Sequence, residues 1–576
     1  MPDRDPERDA NYHSRNSDLH SSSSSSEPIE SYSEQTPLLF PAAPAPDYRS
    51  TSPNSTSEDP ERQHEDDEPL LATETKSLVA IISLLMIGVF MSNADGSLVL
   101  ATFGTVSSEF GALGDASLLT TSYSLATCAV QPISSKLSDI YGRKAVLLVS
   151  YVLFGLGSVI CGLGQSMWQV ISGRIVAGTG AAGMTVIVSI LITDLVPMIQ
   201  VASWRSYVNV VSTFGRSIGG PLGGLLADTV GWRWSFLGQA PPIALAILLV
   251  ALRLSSHTGY SHSNSRQKYG SSKLRRIDFI GAIFLALTIV SLLGALSLGG
   301  QSLAWTHPLI LALFASSLVL GTAFIVYEKK VALEPVFPPS LMVQRDVATN
   351  YAIIALQSAA QLAMIYSVPL YFRVTQNSSN TAAGSHLFPA VLGNTLGGLL
   401  SGLYIQRTGR YKALAILATL CSSFSYLLLI VRWTGETNWL ESLEIVPGGF
   451  GMGIAFSATF IGLQSVVNKK DSAIATGGQY LWSGVGTVVG LAGASAVQIG
   501  SLRALLTEGL SRVPDAASTI KQVISDVSSI EHLESGVRRV VIKSYVKSLE
   551  NSHFLSLACS LAALGLAFTI REHRLQ

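Results

Sequence analysis

The stretch SKLSDIYGRK, from Ser135 to Lys144, is the most informative part of the chain for its architecture. It holds four charged residues in ten, whereas charged residues make up only 13% of the 576-residue chain, and long apolar runs flank it on both sides. A short charged segment between two apolar runs is typical of a loop that reverses the chain at a membrane face. Gly142 permits the tight turn, and Arg143 and Lys144 hold the loop on the cytosolic side.

The whole chain repeats this arrangement of apolar runs and short polar loops. Hydrophobic residues make up 48% of it, and its mean hydropathy is +0.40. The uncharged segments are about 18–25 residues long, the length that a helix needs to cross the hydrocarbon core. Backbone groups in lipid must be paired within the spanning structure, and no alternating strands of about ten residues are seen, so the spans are predicted to be helical.

We predict an all-α membrane protein with fourteen spans, built as two six-helix bundles with two extra central helices. The Gly-Arg pairs Gly142-Arg143 and Gly409-Arg410 each follow the second span of a bundle, which indicates two halves in the same orientation. The predicted spans lie at 78–103, 116–137, 145–163, 167–193, 204–226, 236–254, 277–299, 307–327, 347–371, 384–405, 412–431, 444–467, 474–499 and 553–570.

Residues 1–76 differ from the rest of the chain, being rich in serine and proline, with 17 acidic and 6 basic residues. They offer too little apolar surface to fold, so we predict a disordered, acidic cytosolic tail, and we see no cleavable signal peptide. Short loops and span ends on the side of the tail hold twenty Lys and Arg residues, among them Arg205. The opposite side holds three, so both termini are predicted to be cytosolic.

The rest of the chain is predicted to divide into three parts. An N-terminal six-helix bundle covers 77–254, a cytosolic linker with two extra spans covers 255–346, and a C-terminal six-helix bundle covers 347–571. The last part includes a lumenal loop, 500–552, which is either a cap over the pathway or only a tether. Four cysteines lie far apart in apolar segments, and we interpret them as packing residues with no metal or disulfide role: Cys128, Cys161, Cys421 and Cys559.

SKLSDIYGRK resembles the signature loop of the major facilitator superfamily, between its second and third spans. Asp139, Gly142, Arg143 and Lys144 match the family's pattern, whereas Ser135 stands where that pattern has a glycine. The resemblance implies that Asp139 and Arg143 form a cytosolic gate latch. For the two basic residues taken alone, the alternative is an anchor that only orients the loop.

Two further stretches agree with that family. ISGRIVAGTGAAG, from Ile171, resembles the fourth-span pattern of its proton-coupled members, with Arg174 at the arginine position. GRSIGGPLGG, from Gly215, resembles the fifth-span antiporter pattern, in which small residues let helices approach closely and a proline bends the helix. The motif positions in this chain are Gly219, Gly220, Pro221, Gly223 and Gly224.

Fourteen spans with a long loop before the last resemble the drug–proton antiporter branch of the family. NADGSLVLATFGTVSSEF from Asn93, SWRSYVNV from Ser203 and GGQYLWSGVG from Gly477 are similar to fungal vacuolar basic amino-acid transporters. The resemblance implies proton-coupled antiport of lysine, arginine and histidine into the vacuole. The alternatives are a multidrug or toxin antiporter at the vacuolar or plasma membrane, and a non-transporting nutrient sensor.

Three ionisable residues are predicted to lie deep inside spans, where charge is expensive and usually functional: Asp95, Arg174 and Arg216. By helix rise, Asp95 lies about 28 Å from Lys76, at the cytosolic edge of its span, and Arg174 about 30 Å from Asp194. Because these depths match, we expect Asp95 and Arg174 to face each other. Protonation of Asp95 would then release the pair and permit the transport movement.

Other roles for these residues stay open at this stage. Asp95 could form a fixed structural ion pair, or cap a helix break at Gly96. For a basic amino acid, Arg216 is the candidate for holding the carboxylate and Asp95 for holding an amine. Aromatic residues such as Tyr123 and Tyr366 would have to assist, because one acid faces a dicationic substrate.

The tail carries two strings that resemble the acidic dileucine signals read by sorting adaptor complexes, EQTPLL and DDEPLL. Together they predict a multi-pass protein of the vacuolar membrane, with the plasma membrane as the alternative. Asn377 begins a glycosylation sequon on a loop predicted to be lumenal. The candidate sorting residues are Glu34, Leu38, Leu39, Asp66, Leu70 and Leu71.

The expected partners are therefore a small-molecule substrate, protons, the lipid bilayer and an adaptor complex on the tail, without nucleic acid. We see no paired catalytic carboxylates, metal-ligand clusters or nucleotide-binding loops in the sequence. The glycine-rich runs lie within spans, where they favour helix contact. We accordingly predict no cofactor, no metal and no enzymatic activity.

Overall fold

The computed structural model describes residues 62–112, 115–254, 278–299, 303–332, 334–511, 513, 516–525 and 527–575. The side chains of 62–78 and of a few later positions are outside this description. The candidate sorting residues Glu34, Leu38 and Leu39 are therefore outside the described residues, and so are the side chains of Asp66, Leu70 and Leu71. Throughout the described part the regular elements are helices, with one isolated bridge between Gly299 and Leu303.

Seven helices form the N-terminal half. The first begins within the segment assigned to the tail, where RQHEDDEPLLATETK is rich in residues that favour helix. Its apolar part, Val79–Glu109, is long and hydrophobic enough to cross a membrane. The helices are α1 (Arg62–Glu109), α2 (Ala116–Tyr141), α3 (Arg143–Gly162), α4 (Met167–Leu195), α5 (Met198–Thr229), α6 (Arg233–Leu237) and α7 (Ala240–Arg253).

Two central helices, α8 (Phe279–Leu298) and α9 (Pro308–Lys330), pack against each other. The C-terminal half follows, and it also contains two short 3₁₀ helices, Trp439–Ile445 and Val527–His532. Its α-helices are α10 (Pro339–Val343), α11 (Arg345–Gln376), α12 (Asn380–Ser385), α13 (Phe388–Thr408), α14 (Lys412–Arg432), α15 (Val446–Val466), α16 (Ser472–Gly509), α17 (Ala516–Ser525) and α18 (Ser535–Thr569).

Twelve helical segments of the described chain are long and apolar enough to span a membrane. Of the fourteen predicted spans, those on α2 and α5 fall outside this group, although these helices have 26 and 32 residues. Both helices pack against the other half, α2 on α16 and α5 on α13, and polar side chains of α5 such as Asn209 take part in that contact. Fourteen spans and cytosolic termini therefore stay predictions.

The two halves meet through a small number of helices. On one side α2 contacts α16, on the other α5 contacts α13 and α15, and α8 lies against both α2 and α16. We use "latch end" for the end of the bundle at the turn between α2 and α3, and "cap end" for the opposite end. Helix α4 runs towards the latch end, and α5 and α16 start there. Low residue numbers in α5 and α16 therefore lie near the latch end, and high numbers lie near the cap end.

The predicted loop 500–552 is a folded helical unit. Helix α16 continues to Gly509, and α18 begins at Ser535 with α17 between them. These three helices enclose an apolar core, and the Tyr545 hydroxyl donates a hydrogen bond to the Val523 carbonyl at 2.8 Å. The buried core residues from α16 to α18 are Leu502, Leu506, Leu510, Val523, Ile530, Val541 and Tyr545. We call this unit the cap.

Candidate transport site and gate

The structure brings Asp95 and Arg174 together inside the N-terminal half. The Arg174 Nη1 donates to the Asp95 Oδ2 at 2.7 Å, and the two side chains are 1% and 0% exposed. Gln239 Nε2 donates to the other carboxylate oxygen, Oδ1, at 2.9 Å. A second bond, from Arg174 Nε to the Leu119 carbonyl at 3.2 Å, fixes the guanidinium. The pair therefore links α1, α4 and the start of α7 at the centre of this half.

Tyr123 packs against this ion pair. The Arg174 guanidinium lies 4.2 Å from the centre of the Tyr123 ring, and the Tyr123 hydroxyl donates to the Ser92 carbonyl at 3.0 Å. Both oxygens of Asp95 are thus occupied, and a substrate amine has no access to them in this conformation. Gln239 gave no signal in the sequence, because an uncharged amide in an apolar run has no pattern that marks it.

Arg216 has a different environment. It lies in the middle of α5 with an exposed side chain, and its Nε donates to the Asn93 Oδ1 of α1 at 3.0 Å. In the part of the chain that the structure describes, Arg216 makes no ion pair. It is therefore a cation that no carboxylate of the described residues compensates. Tyr366 lies in the C-terminal half, where its hydroxyl donates to Gln498 at 3.4 Å.

Glycines of the antiporter motif hold α5 against α1. A Cβ placed on Gly219 would lie 2.2 Å from the Ala94 carbonyl oxygen, and one on Gly223 would lie 2.8 Å from that of Leu98. No side chain fits at such distances, so these two positions require glycine. Because Ala94 precedes Asp95, this contact also sets the position of the acid.

The remaining motif residues do not make this contact. A Cβ on Gly220 would have its nearest neighbour at 3.9 Å, and one on Gly224 would meet nothing within 4 Å. Pro221 faces a groove between α5 and α13 instead. Of the five predicted motif residues, Gly219 and Gly223 therefore pack against α1, and the other three do not.

The predicted latch is formed around Arg143. Its Nη1 donates to the Asp139 Oδ1 at 2.5 Å and to the Ser138 hydroxyl at 2.8 Å. Its Nε donates to the Asp194 Oδ2, at the end of α4, at 3.0 Å. Burial raises the pKa of Asp139 above its ordinary value, and the neighbouring Arg143 offsets only part of this rise. Gly142, at φ +94°, provides the left-handed turn that places Arg143 at the start of α3.

Asp194 also belongs to this ionic cluster, although the sequence indicated it only as the end of a span. Its carboxylate joins α4 to the α2–α3 turn, so three elements converge on one guanidinium. Lys144 lies outside this group, and its Nζ donates to the Ala251 carbonyl at 2.8 Å. The corresponding pair in the second half differs, since Gly409 has a φ of +66° but Arg410 is exposed.

Polar contacts join α5 and α13 along the latch half of the bundle. Ser203 Oγ donates to the Gln406 Oε1 at 2.6 Å, and Ser206 Oγ donates to the Gly398 carbonyl at 2.6 Å. One turn further along, Asn209 Nδ2 donates to the Asn394 Oδ1 at 2.8 Å. On this side of the bundle, hydrogen bonds therefore join the two halves at the latch end.

Towards the cap end a groove of about 570 Å³ lies between the same two helices. It is lined mainly by apolar residues, including Phe214, Leu222, Leu225, Phe388 and Val391. The polar contacts at the latch end hold the two halves together there, as in a conformation closed at that end.

Arg205 corrects the sequence reading, which counted it among the charges of loops and span ends. It lies within α5, is only 2% exposed and contacts residues of both halves. Its Nη1 donates to the Tyr480 hydroxyl of α16 at 2.7 Å. Asn377, the candidate glycosylation residue, is exposed at the end of α11.

Two helical halves, a buried ion pair within one of them and an ionic cluster at one end are the features of a membrane transport protein. The chain belongs to the major facilitator superfamily, because the model of that family matches residues 85–491. Members of this family are transporters, and this chain is a multi-pass membrane protein of that class.

The curated relatives include both amino-acid and drug transporters. The chain is 31% identical to the vacuolar membrane amino acid uptake transporter fnx2 of Schizosaccharomyces pombe, over 84% of each chain. It is 30% identical to the multidrug resistance protein fnx1 of the same organism, over 85% of this chain and 92% of the relative. It is 28% identical to the vacuolar basic amino acid transporter 2 of Saccharomyces cerevisiae, over 78% of this chain and 96% of the relative.

Solved structures share the fold. The human organic anion transporter MFSD10 matches with a TM-score of 0.55 at 12% identity, over 84% of this chain and 98% of that one. The proton:xylose symporter XylE matches with a TM-score of 0.53 at 14% identity, over 86% of this chain and 96% of that one.

Proposed function

We propose that the chain is a proton-coupled antiporter that moves lysine, arginine and histidine into the vacuole. The Asp95–Arg174 ion pair is the observation that carries the proposal. A carboxylate buried in a span is stable as an anion only while a cation and hydrogen bonds compensate it, and Arg174 and Gln239 supply both. Protonation of Asp95 removes its charge, so the main attraction that holds Arg174 is lost.

The proton step then acts on the packing of the N-terminal half. Arg174 is held by Asp95 on α1 and by the Leu119 carbonyl on α2. When Asp95 is neutral, α4 is freed from α1, and α1 is in turn packed tightly on α5 through Gly219. The charge state of Asp95 can therefore bias the position of α5, which carries the contacts to the other half.

The substrate contacts come from residues between the halves. Arg216 binds the carboxylate, since its guanidinium is exposed there and makes no ion pair among the described residues. Asp95 becomes available to a substrate amine only after Arg174 has moved away. Proton and substrate amine thus compete for one acid, which is the condition for antiport.

The cellular location in this proposal is the vacuolar membrane, with the latch end and both termini in the cytosol and fourteen spans in total. An adaptor complex that reads the dileucine strings of the tail delivers the protein there. The names of the amino-acid transporters of the two yeasts support the substrate class and the location. The strong excess of Lys and Arg at the latch end supports the orientation.

A second candidate is a multidrug antiporter at the vacuolar or plasma membrane. The apolar groove between α5 and α13 favours it, because Phe214, Leu222 and Phe388 offer surface suited to a hydrophobic compound. The relative named as a multidrug resistance protein supports it as well. A nutrient sensor without transport would retain the fold but move no substrate.

Uptake of labelled lysine, arginine and histidine by vacuolar vesicles tests the proposal. Vesicles with the protein should take up at least one of them in excess of vesicles without it, and collapse of the proton gradient should abolish the excess. Equal uptake, with the protein verified in the membrane, would reject the amino-acid function. Purified protein in liposomes, offered amino acids and drugs in turn, separates the drug antiporter from a sensor, which moves neither.

A further inference from the structure

Arg205 is a buried cation without a counter-ion. It is 2% exposed, and no carboxylate of the described residues lies within ion-pair distance of it. The two other deeply buried arginines, Arg143 and Arg174, each bind an acid. A buried charge without a partner is costly, so its retention needs another explanation.

Aromatic residues of the other half enclose the Arg205 guanidinium. Its Cζ lies 4.0 Å from the ring centre of Phe460, 5.0 Å from that of Phe456 and 5.4 Å from that of Tyr480. Ser189, on α4, accepts a hydrogen bond from the same nitrogen that bonds the Tyr480 hydroxyl. These cation–π contacts partly compensate the charge, and they exist only while the halves are together at the latch end.

One edge of the guanidinium is unused. Nη1 makes both hydrogen bonds, whereas Nε and Nη2 are buried and have no hydrogen-bond partner among the described residues. The N–H groups of these two nitrogens point in parallel from the same edge of the guanidinium, within its plane. A carboxylate binds such an edge through both of its oxygens, with a geometry that lysine cannot reproduce.

The position of Arg205 along α5 connects it to the proposed substrate site. Arg216 lies eleven positions further on, about three turns, so both arginines are on the same face of α5. When the latch end opens, α5 leaves α15 and α16, and the free edge of Arg205 faces the entrance before Arg216 does.

We propose that Arg205 is an entry site for the carboxylate of an organic acid or amino acid, open from the latch end and covered by the aromatic residues in the closed conformation. The amino-acid part of this inference rests on the proposed function. The ligand class is a carboxylate on an aliphatic stem, since the stem can take the place of Phe456 and Phe460 against the guanidinium.

Chemical footprinting of the purified full-length protein tests the site without any transport. Phenylglyoxal modifies accessible arginines, and peptide mass spectrometry measures its rate at Arg205. Hexanoate should slow the reaction at Arg205, while hexanamide, its neutral counterpart, should not. Exposed Arg407 is the control that neither compound should protect. Equal rates with both compounds, or no modification of Arg205 at all, would overturn the proposal.

Transport separates this inference from the proposed function. Arg205→Lys keeps the charge but loses the bidentate edge, so the KM for lysine offered from the latch end should rise about tenfold or more. The KM for lysinamide, and the KM for lysine from the cap end, should not change. An equal rise for lysine and lysinamide would make Arg205 a gate residue only. If the unaltered protein takes up no lysine, the proposed function fails. The footprinting experiment with hexanoate still tests whether Arg205 binds a carboxylate.

Discussion

Ser135 of α2 and Gly477 of α16 touch across the two halves, and a Cβ on Gly477 would lie 2.2 Å from the Ser135 Oγ. Ser135 is fully buried and donates to the Gln131 carbonyl at 3.1 Å. It occupies the position where the family's loop pattern has glycine. The facing helix makes room for its side chain by having a glycine of its own, so the close approach of α2 and α16 is kept.

This reciprocal fit predicts the behaviour of a swapped pair. Gly477→Ala should prevent closure at the latch end and lower transport, because two side chains then compete for one space. Ser135→Gly combined with Gly477→Ala should restore transport, because the contact again has a glycine on one helix, now on α2 instead of α16. Uptake and the Tm of both variants provide the measurement. A double variant that is as impaired as the single one would show that the contact is not what limits closure.

Asp95→Asn should uncouple transport from the proton gradient and destabilise the protein. The substitution leaves Arg174 buried without a counter-ion, at a cost of about 3–5 kcal/mol in unfolding free energy. The combined change Asp95→Asn with Arg174→Gln should recover part of that loss. Denaturation of the purified variants measures this, and gradient-driven uptake measures the coupling.

Glu109→Gln is the matched control on the same helix. The Glu109–Arg233 pair is about 40% exposed on both sides, so its loss should cost about 0–1 kcal/mol and leave the coupling intact. Full proton-driven uptake by Asp95→Asn would contradict the assignment of Asp95.

Asp194→Asn should shift the protein towards the conformation that is open at the latch end. It weakens the bond from Arg143 that ties α4 to the α2–α3 turn, while Asp139 still keeps Arg143 in place. The distance between spin labels on α5 and α13 near the latch end should therefore lengthen on average. Lys144→Gln, which loses only a bond to a backbone carbonyl, should leave that distance unchanged. The same distance distribution in both variants would argue against a latch role for Asp194.

Gly219→Ala and Gly220→Ala should differ, although they are neighbours in the same motif. Alanine at 219 would collide with the Ala94 carbonyl and push α5 from α1, so transport and Tm should both fall. Alanine at 220 would make only an ordinary van der Waals contact, at 3.9 Å from its nearest neighbour, and it should raise stability slightly because alanine favours helix over glycine. Thermal unfolding of the two purified proteins compares them directly, and equal losses would mean that the close contact is not decisive.

Sequence patterns predicted the features that follow from the membrane itself. Most apolar runs became helices near their predicted positions, since lipid dictates both their length and their hydrogen bonding. The depths of Asp95 and Arg174 could be compared because helix rise is constant, and the structure has the two in contact.

Contacts between helices could not be read from the chain. Arg205 and Lys144 look alike as basic residues near span ends, yet one is enclosed by rings of the other half and the other remains at the surface. Asp194 and Gln239 gained their roles only when helices distant in sequence were packed together. Local composition carries no information on which faces meet, so such residues need the structure.

The great length of α16 and α18 has a mechanical consequence. With 38 and 35 residues they reach about 57 and 52 Å, against about 30 Å for the hydrocarbon core. Both belong to the C-terminal half; α16 ends in the cap and α18 begins there, so the cap lies at the end of both helices that is far from the latch end. A small rotation of that half about the α5–α13 contact therefore displaces the cap by a larger distance. A force applied to the cap is transmitted in the same way to the α5–α13 contact. A molecule that binds the cap and restricts its movement would therefore slow the transport cycle.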